Sequence, residues 1–321
     1  MKMLEEAKGK WVGALNEVVI GATKEQGGTR TSTVTVGGEK TLPFLAYEGP
    51  TKNRPVVAME IHDRVPDDWP KPLMDALGDA VKSPADWAKK CVTEFGAEMI
   101  CLKLQGTHPD FGDASPQAAA ATVKSVLAAV GVPLIIWGSD HDEKDNEVLP
   151  RCSEAAKGEK CLVGAVKEDN YKTLVSFCLA DGHSLIGLSP IDINIAKQVN
   201  ILVSEMGFPL DRLVMYPTTG ALGYGIEYVY SIQERSRIAA LGGDKMMSMP
   251  VICMVGQEAW RAKEARASAE EVPGLGDENT RGLFWEIATA ASLLQAGSDI
   301  MVMRHPAAVA AIKNTINKLT K

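Results

Sequence analysis

The stretch MICLKLQGTHPDFGDASPQAAAATVKSVLAAVGVPLIIWGS, residues 99–139, decides the fold of this 321-residue chain. It holds two short apolar runs, MICLKL (99–104) and LIIWGS (134–139), with an amphipathic segment between them. Ser115 and Pro116 supply a cap and a first-turn proline for a helix, and Gly131 marks its end. Strands that are buried on both faces of a parallel sheet are almost continuously apolar. The stretch therefore predicts a strand, a helix and a second, parallel strand.

The same unit recurs along the chain. Six more apolar runs are VVAMEI (56–61), CLVGAV (161–166), SLIGLS (184–189), LVMYPT (213–218), PVICMV (250–255) and IMVMRH (300–305). Helical patterns begin at Ser83-Pro84 and at Ser115-Pro116, and others cover 145–158, 170–180, 191–207, 225–242, 279–297 and 306–319. Eight strands alternating with eight helices predict an α/β fold, a single (β/α)8 TIM barrel over residues 56–321. A doubly wound open sheet is the competing fold, but it does not explain eight even units.

Residues 1–55 do not follow this rhythm, and we expect an N-terminal extension. TRTSTVTVGGEKTLPFLAYEG (29–49) alternates polar and β-branched residues around Gly37-Gly38, which predicts a two-stranded β-hairpin. We expect the hairpin to cover the bottom of the barrel, where the N-terminal ends of the strands would otherwise be open. No Pro- or Ser-rich linker is present, so no second domain is predicted.

The bulk composition indicates a soluble globular protein. The hydrophobic fraction is 45%, the charged fraction is 23% and the net charge is −7, which argues against a nucleic-acid partner. MKMLEEAKGKW at the start is too polar for a secretory leader, and no run of eighteen apolar residues follows. We therefore expect a cytoplasmic protein without a membrane partner.

The six cysteines are too widely spaced for a cluster motif. They stand at positions 91, 101, 152, 161, 178 and 253, so no CxxC pair exists. Several lie within apolar runs, where a free cysteine behaves as a small hydrophobe. We predict reduced, buried thiols and no iron–sulfur cluster bound by this chain alone.

The functional face of a barrel is built by the loops that follow its strands. One such loop is SDHDEKDNEVLPR (139–151), whose acids suggest a metal site, a ligand-facing loop or a plain solvated loop. The spacing lacks the glycine of a calcium-binding loop, and Asp145 is explained as the cap of the following helix. We predict no metal site, and Ser139, Asp140 and His141 remain as ligand contacts.

Three charged residues are predicted inside the barrel. Strand alternation places Glu60, Lys103 and Arg304 on the inner faces of three neighbouring strands. They form either a compensated buried ionic group or an aldolase-like site, in which Lys103 forms a Schiff base. Both interpretations stay open from the sequence.

The segment MYPTTGALGYGIEYVYSIQERSRIAAL (215–241) is rich in glycine after the sixth barrel strand. It contains neither phosphate-loop nor dinucleotide-binding spacing. Its glycines allow the backbone to approach something flat or bulky above the barrel, and Tyr224 and Tyr228 would supply apolar walls.

The sequence resembles the small subunit of the corrinoid iron–sulfur protein, a family that includes the delta subunit of the archaeal acetyl-CoA decarbonylase/synthase complex. The resemblance spans nearly the whole chain and rests on GSDHDEKDNEVL (138–149), LVGAVKEDNYK (162–172), SPIDINIAKQVN (189–200) and LGYGIEYVYSIQERSRIAAL (222–241). DGHSLIG (181–187) is close to the D-x-H-x-x-G motif of cobalamin domains. However, Gly187 comes one residue late and His183 precedes an inner strand, so we reject that motif.

The resemblance implies a heterodimeric methyl carrier in the reductive acetyl-CoA pathway. It implies a large-subunit partner that carries the iron–sulfur cluster and most of the corrinoid site, a methyltetrahydrofolate methyltransferase that supplies the methyl group, and acetyl-CoA synthase as the acceptor. The top of this barrel would meet the methyl-bearing face of the shared corrinoid, with no catalytic residue on this chain. From their positions we expect corrinoid contacts from Thr107, Ser139, Asp140, His141, Thr218, Thr219, Gly220, Gly223, Tyr224 and Gly225.

The alternative is an enzyme that acts alone, a pterin-binding methyltransferase dependent on methyltetrahydrofolate. Such barrels are similar and place Asp and Asn at strand ends, which Asp192 and Asn194 match superficially. A lyase or aldolase that uses Lys103 is a more distant third option.

Overall fold

The computed structural model describes residues 8–321 and shows ten strands, eight of which form one parallel sheet. The strands are β1 Glu17–Ile20, β2 Val34–Gly37, β3 Val56–His62, β4 Met99–Lys103, β5 Leu134–Trp137, β6 Leu162–Val166, β7 Ser184–Leu188, β8 Leu213–Tyr216, β9 Ile252–Cys253 and β10 Ile300–Met303. Each predicted apolar run contains one strand of the parallel sheet, which confirms the predicted TIM barrel.

Helices follow the barrel strands and pack around the outside of the sheet. They are α1 Lys71–Leu77, α2 Pro84–Thr93, α3 Pro116–Ala129, α4 Asp142–Ala155, α5 Tyr171–Asp181, α6 Ile193–Glu205, α7 Ile226–Leu241, α8 Val255–Arg261, α9 Lys263–Arg266, α10 Glu278–Ala296 and α11 Pro306–Leu319. The short helices α1, α8 and α9 were not predicted, because each is at most seven residues long and is too short to repeat an apolar pattern over several turns. No helix in residues 8–321 is long and apolar enough to span a membrane.

The barrel closes at a narrow seam between β8 and β9. The hydrogen-bonded order of the sheet is β8-β7-β6-β5-β4-β3-β10-β9. Across the seam, Met215 and Val251 form one isolated parallel bridge, and Met215 N donates to Pro250 O at 2.8 Å. The strand β9 has only two residues, so it contributes less pairing than the other barrel strands.

Strand alternation divides the core into two layers. In β3, Val56 and Ala58 face the barrel interior, whereas Val57, Met59 and Ile61 pack against the outer helices. This is why the apolar runs are nearly continuous: both faces of each strand are buried.

The N-terminal hairpin is confirmed, but its turn is not where the sequence placed it. β1 and β2 pair antiparallel from Glu17↔Gly37 to Ile20↔Val34, so the connection is the segment 21–33 rather than Gly37-Gly38. Val18, Ile20, Val34 and Val36 join the inner core of the barrel. The hairpin therefore packs under the barrel as expected, with the pair of glycines leading out of β2.

Two predicted helix starts are confirmed and one is wrong. Ser83 Oγ accepts from Asp86 N, and Ser115 Oγ accepts from Ala118 N, as their cap roles require. The helix α4 begins at Asp142 rather than at 145, and its cap is His141, whose Nδ1 accepts from Lys144 N at 3.3 Å. Asp145 is therefore not a cap, because it lies inside the first turn and its carboxylate has other partners.

Candidate functional site

A cavity of about 280 Å³ opens at the C-terminal ends of the barrel strands. The elements β3, β4, β5, α8 and β10 converge there and bring together residues that are far apart in the sequence. The side chains that matter most are His62, Trp69, Lys103, Asp140, Gln257 and Arg304. The opening lies at the end of the barrel where barrel enzymes and binding proteins carry their sites.

Glu60 and Arg304 form a buried, bidentate ion pair at the base of this cavity. Arg304 Nε donates to Glu60 Oε2 at 3.0 Å, and Arg304 Nη2 donates to Glu60 Oε1 at 2.6 Å. Burial alone would raise the pKa of Glu60, but Arg304 and His62 hold it well below its ordinary range. The predicted proximity of Glu60 and Arg304 is thus confirmed.

The ion pair is enclosed by aromatic rings. His62 Nε2 lies 2.7 Å from Glu60 Oε1, and burial lowers the pKa of His62, which favours the neutral imidazole. The guanidinium of Arg304 lies 4.3 Å from the ring centroid of Trp69, and His62 meets the same ring edge-on. These contacts fix the orientation of Arg304 within the cavity.

Lys103 lies in the same cavity but pairs with a different acid from the one expected. Its Nζ donates to Asp140 Oδ2 at 2.8 Å and to Gln257 Oε1 at 2.6 Å. The side chain of Lys103 is 6% exposed, whereas that of Asp140 is 50% exposed. Lys103 therefore connects the interior of the barrel to a carboxylate at its mouth, and no hydrogen bond joins it to Glu60.

Asp140 stands in an unusual backbone conformation. Its φ is +70°, and its second carboxylate oxygen accepts from Trp137 Nε1 at 3.0 Å. Burial would raise the pKa of Asp140, but Lys103 and Trp137 lower it. The left-handed region is tolerated by Asp better than by most residues, and such conformations persist where surrounding contacts enforce them.

Asp145 holds the loop that carries Asp140. One carboxylate oxygen accepts from the backbone N and the hydroxyl of Ser139, and the other accepts from Asp140 N. A Cβ at position 138 would come 2.3 Å from Asp145 Oδ2, so only glycine fits at Gly138. Asp140 and Asp145 therefore both have structural partners, and residues 8–321 contain no group of three or more His, Cys, Asp or Glu side chains arranged for a metal ion.

The predicted contact residues other than Thr107 fall into two groups. Ser139 and Asp140 line the cavity, and His141 caps α4 beside them, where its ring meets that of His108 edge-on at 5.4 Å. The β8–α7 loop carries the second group, which is Thr218, Thr219, Gly220, Gly223, Tyr224 and Gly225. None of the second group lines the cavity.

Several of the predicted residues already bond within the chain. Thr107 is fully buried and donates to Leu104 O, and Thr219 Oγ1 accepts from Met254 N. Gly220 packs against the backbone of Gly225, where a Cβ would come within 2.7 Å. Close approach at Gly220 therefore serves the loop itself, and corrinoid contact by these residues stays a prediction.

The rest of the second group is closer to the surface. Tyr224 is 44% exposed, and its hydroxyl donates to Glu264 and accepts from Lys263 N. Thr218 has a φ of +64°, which is rare for a β-branched residue, and its hydroxyl donates to Ser189 O. The end of β8 thus shares with the end of β5 a non-glycine residue in the left-handed region.

Among the cavity residues that sequence reasoning missed, two contact Arg304 or Lys103 directly. Trp69 belongs to HDRVPDDWP after β3, where a tryptophan in a polar loop was a usable signal. Gln257 follows the run PVICMV in α8, and it was missed because that short helix was not predicted. Both are needed to describe the surroundings of Arg304 and Lys103.

Glu286 supports Arg304 from outside the barrel wall. Its carboxylate accepts from Arg304 N at 2.6 Å, from Trp260 Nε1 at 2.7 Å and from His305 N at 3.1 Å. Burial raises the pKa of Glu286 to about 7, although these donors oppose the shift. Its charge therefore changes near neutral pH, directly behind the cavity.

Other candidate groups have structural roles. His183 is fully buried, with Nδ1 accepting from Cys161 N and Nε2 2.9 Å from Ser153 O, so it is not placed as a metal ligand. All six cysteines are buried free thiols, as predicted, and burial raises the pKa of Cys152 to about 12.

The chain was compared with known protein families and structures. Residues 17–319 match the family model of the CO dehydrogenase/acetyl-CoA synthase delta subunit. The chain is 38% identical over 320 residues to the acetyl-CoA decarbonylase/synthase complex subunit delta of Archaeoglobus fulgidus, covering 98% of this chain and 70% of that protein. The Methanopyrus kandleri subunit delta is 35% identical over 310 residues, covering 96% and 76%.

Solved structures with a similar fold include dihydropteroate synthases. The enzyme of Xanthomonas albilineans with 4-aminobenzoic acid aligns with a TM-score of 0.54 and 15% identity, over 84% of this chain and 94% of that chain. The enzyme of Thermus thermophilus aligns with a TM-score of 0.53 and 14% identity, over 83% and 94%. At this identity the likeness shows the barrel fold alone.

Proposed function

The chain belongs to the CO dehydrogenase/acetyl-CoA synthase delta subunit family, and from this premise we propose that it is the small subunit of a corrinoid iron–sulfur methyl carrier in the reductive acetyl-CoA (Wood–Ljungdahl) pathway. A large subunit holds the iron–sulfur cluster and most of the corrinoid site in this proposal. The other partners are a methyltetrahydrofolate methyltransferase and acetyl-CoA synthase, and the compartment is the cytoplasm. The observation that carries the proposal is the family match over residues 17–319.

Polar and aromatic groups at the top of the barrel support this proposal, because a corrinoid carries amide side chains around a flat ring. The half-exposed carboxylate of Asp140 and the ring of His141 offer hydrogen-bonding groups at the mouth. Tyr224 and Tyr228, which are 44% and 63% exposed, offer flat apolar surface in the segment that follows β8. When bound, the corrinoid supplies the cobalt that carries the methyl group.

The residues of this chain have binding and positioning roles in the proposal. Asp140, His141, Thr218, Gly223, Tyr224 and Gly225 are at least partly exposed and make the contacts. Ser139, Thr219 and Gly220 are buried and shape the two loops that carry those contacts, and Thr107 is buried in the segment after β4. A methyl carrier needs no general acid or base from this subunit, so the chain itself is proposed to be non-catalytic.

The proposal is tested by binding to the corrinoid-loaded large subunit from the same host. We expect the two chains to elute together with the visible absorbance of the corrinoid, and methyltetrahydrofolate with its methyltransferase to change that absorbance. Replacing Tyr228 by Ser should weaken binding about fivefold or more, since anchoring aromatic side chains contribute about 1 kcal/mol or more. The control Tyr47→Ser removes a tyrosine that is 43% exposed in the N-terminal extension and should leave binding unchanged.

Two results would contradict this role. One is a chain that elutes alone and colourless in the presence of the loaded large subunit. The other is that Tyr228→Ser and Tyr47→Ser weaken binding to the large subunit equally, which would show that the barrel mouth is not part of the interface.

The alternative function, a pterin-binding methyltransferase, loses the two residues that suggested it. Asp192 caps α6, with Oδ1 accepting from Asn194 N at 2.7 Å and from Ile195 N at 3.2 Å, and neither Asp192 nor Asn194 lines the cavity. Equilibrium dialysis of methyltetrahydrofolate against the isolated chain separates the two functions. Micromolar affinity would favour the independent enzyme, whereas the proposed subunit should bind it weakly or not at all.

A further inference from the structure

The base of the cavity has an excess of positive charge. Three ionic side chains there are at most 7% exposed, and they are Glu60, Lys103 and Arg304. Glu60 neutralises Arg304, so the charge of Lys103 remains, and its balancing carboxylate is the half-exposed Asp140 at the mouth. At the rim, Arg64 pairs with Asp67 and Arg261 pairs with Glu258, and Asp68 also lines the opening. A buried positive charge next to an open cavity favours an anionic ligand.

Arg304 has a free donor at this place. Its Nε and Nη2 both bond to Glu60, whereas Nη1 has no partner among the residues that the structure describes. Nη1 is also absent from the side-chain atoms that are both buried and unsatisfied, and Arg304 lines the cavity. The guanidinium therefore offers a charge-assisted donor to the cavity from a side chain that is 93% buried.

Asp140 is bound to Lys103, the second cation of the cavity, at the place where a carboxylate ligand would bind. It reaches Lys103 from the solvent side, from a residue with a φ of +70°. Its own backbone is held by Asp145, so its side chain can leave Lys103 without moving the loop. A bound anion that replaces Asp140 at Lys103 supplies the same negative charge, and Asp140 then keeps its second contact, in which Trp137 Nε1 donates to its other oxygen.

We propose that this cavity binds the carboxylate group of a small organic acid between Lys103 Nζ and Arg304 Nη1, displacing Asp140 from Lys103. Gln257, which also bonds Lys103, holds the ammonium in position, and Trp69 forms the wall behind the guanidinium. The volume of about 280 Å³ accommodates an acid of a few carbon atoms. The site shares Asp140 with the proposed corrinoid contacts, but carboxylate binding is measured on this chain alone and does not require the corrinoid.

Calorimetric titration of the full chain tests the site, with malonate and acetate as carboxylate probes and inorganic phosphate as the competing anion class. Ionic strength is held constant with chloride, because exposed charges are screened by salt. We expect saturable binding of malonate or acetate, tighter than that of phosphate. Lys103→Gln should weaken it at least tenfold.

The decisive variant is Asp140→Asn. It removes the charge of the internal competitor but keeps an amide oxygen that can accept from Lys103 Nζ or Trp137 Nε1. Its fold is checked by circular dichroism, and the folded variant should bind the carboxylate about threefold to fivefold more tightly than the wild type. The matched control is Asp142→Asn, on the same loop, whose carboxylate pairs with Lys167 and does not line the cavity. This control should bind as the wild type does.

The proposal is overturned if Asp140→Asn binds no more tightly than Asp142→Asn, or if Lys103→Gln binds as well as the wild type. Tighter binding of phosphate than of either carboxylate would overturn the ligand class. Absence of saturable binding in both the wild type and Asp140→Asn would overturn the site. None of these outcomes bears on the corrinoid role, which is measured with the large subunit.

Discussion

Replacement of Glu60 by Gln is expected to lower the free energy of unfolding by about 3–5 kcal/mol. The change keeps the shape of the side chain but leaves the guanidinium of Arg304 buried without its counter-charge. Removing one partner of a buried pair has an effect of this size because the remaining charge is not solvated. The Glu60–Arg304 pair is a buried pair of this kind, because two hydrogen bonds join its members and the Glu60 side chain is 0% exposed.

The expected loss in the free energy of unfolding can be converted to a change in melting temperature. Unfolding entropy near 60 °C is about 2.1 cal/mol/K per residue, or about 0.7 kcal/mol/K for a chain of this length. A loss of 3–5 kcal/mol then lowers Tm by about 4–7 °C, which differential scanning calorimetry resolves. The control is Glu154→Gln, which breaks the exposed pair with Arg151 and should change stability by less than about 0.5 kcal/mol.

The pH dependence provides an independent check of the charge argument. Because the folded-state pKa of Glu60 is lowered, its ionisation stabilises the fold above its unfolded pKa of 4.5, and this contribution is lost as pH falls toward the folded-state value. The difference between wild type and Glu60→Gln should therefore be constant from pH 8 to about 5 and shrink below that. A difference below about 1 kcal/mol at pH 7, or one that grows in acid, would refute the reasoning.

Three further perturbations test other parts of the structure. The pKa of Glu286 is raised from 4.5 to about 7, so the folded protein holds this proton more tightly than the unfolded chain does. As pH rises from 4.5 to above 7, the free energy of unfolding of the wild type should therefore fall by up to about 3 kcal/mol relative to that of Glu286→Gln, as measured by urea titrations at several pH values. Ile20→Ala should reduce the free energy of unfolding by about 2–5 kcal/mol in the same assay, because Ile20 is fully buried under the barrel, whereas Val12→Ala, at 84% exposure, should not. Ser115→Ala should lower stability by about 1 kcal/mol through loss of the cap of α3, and Ser115→Asp should restore it.

The barrel could be predicted because each of its strands is recognisable from its own short segment of sequence. Each parallel strand is buried on both faces, so its apolar run is visible without knowledge of its neighbours. Alternation within VVAMEI and IMVMRH was also enough to place Glu60 and Arg304 together. Eight repeats of one unit then fixed the closed topology.

The remaining details depend on contacts between distant segments. Asp145 looked like a cap because it precedes a helical pattern. Its carboxylate instead accepts from Ser139 N and Asp140 N in the preceding loop, and these contacts depend on the loop conformation. The hairpin was centred on Gly37-Gly38 because adjacent glycines favour a turn, whereas β2 pairs with β1 across thirteen intervening residues, 21–33. Lys103 could be placed in the barrel, but its pairing with Asp140 and Gln257 follows from loop conformations that the sequence pattern does not encode.

The narrow seam of the barrel has a consequence for motion. One bridge between Met215 and Val251, with the hydrogen bond from Met254 N to Thr219 Oγ1 above it, joins β8 to β9. Amide hydrogens in β8 and β9 should therefore exchange with deuterium sooner than those of β3 and β4, which share five paired positions. We expect the barrel to open first between β8 and β9, and the glycine-rich loop of residues 217–225 to move together with β8.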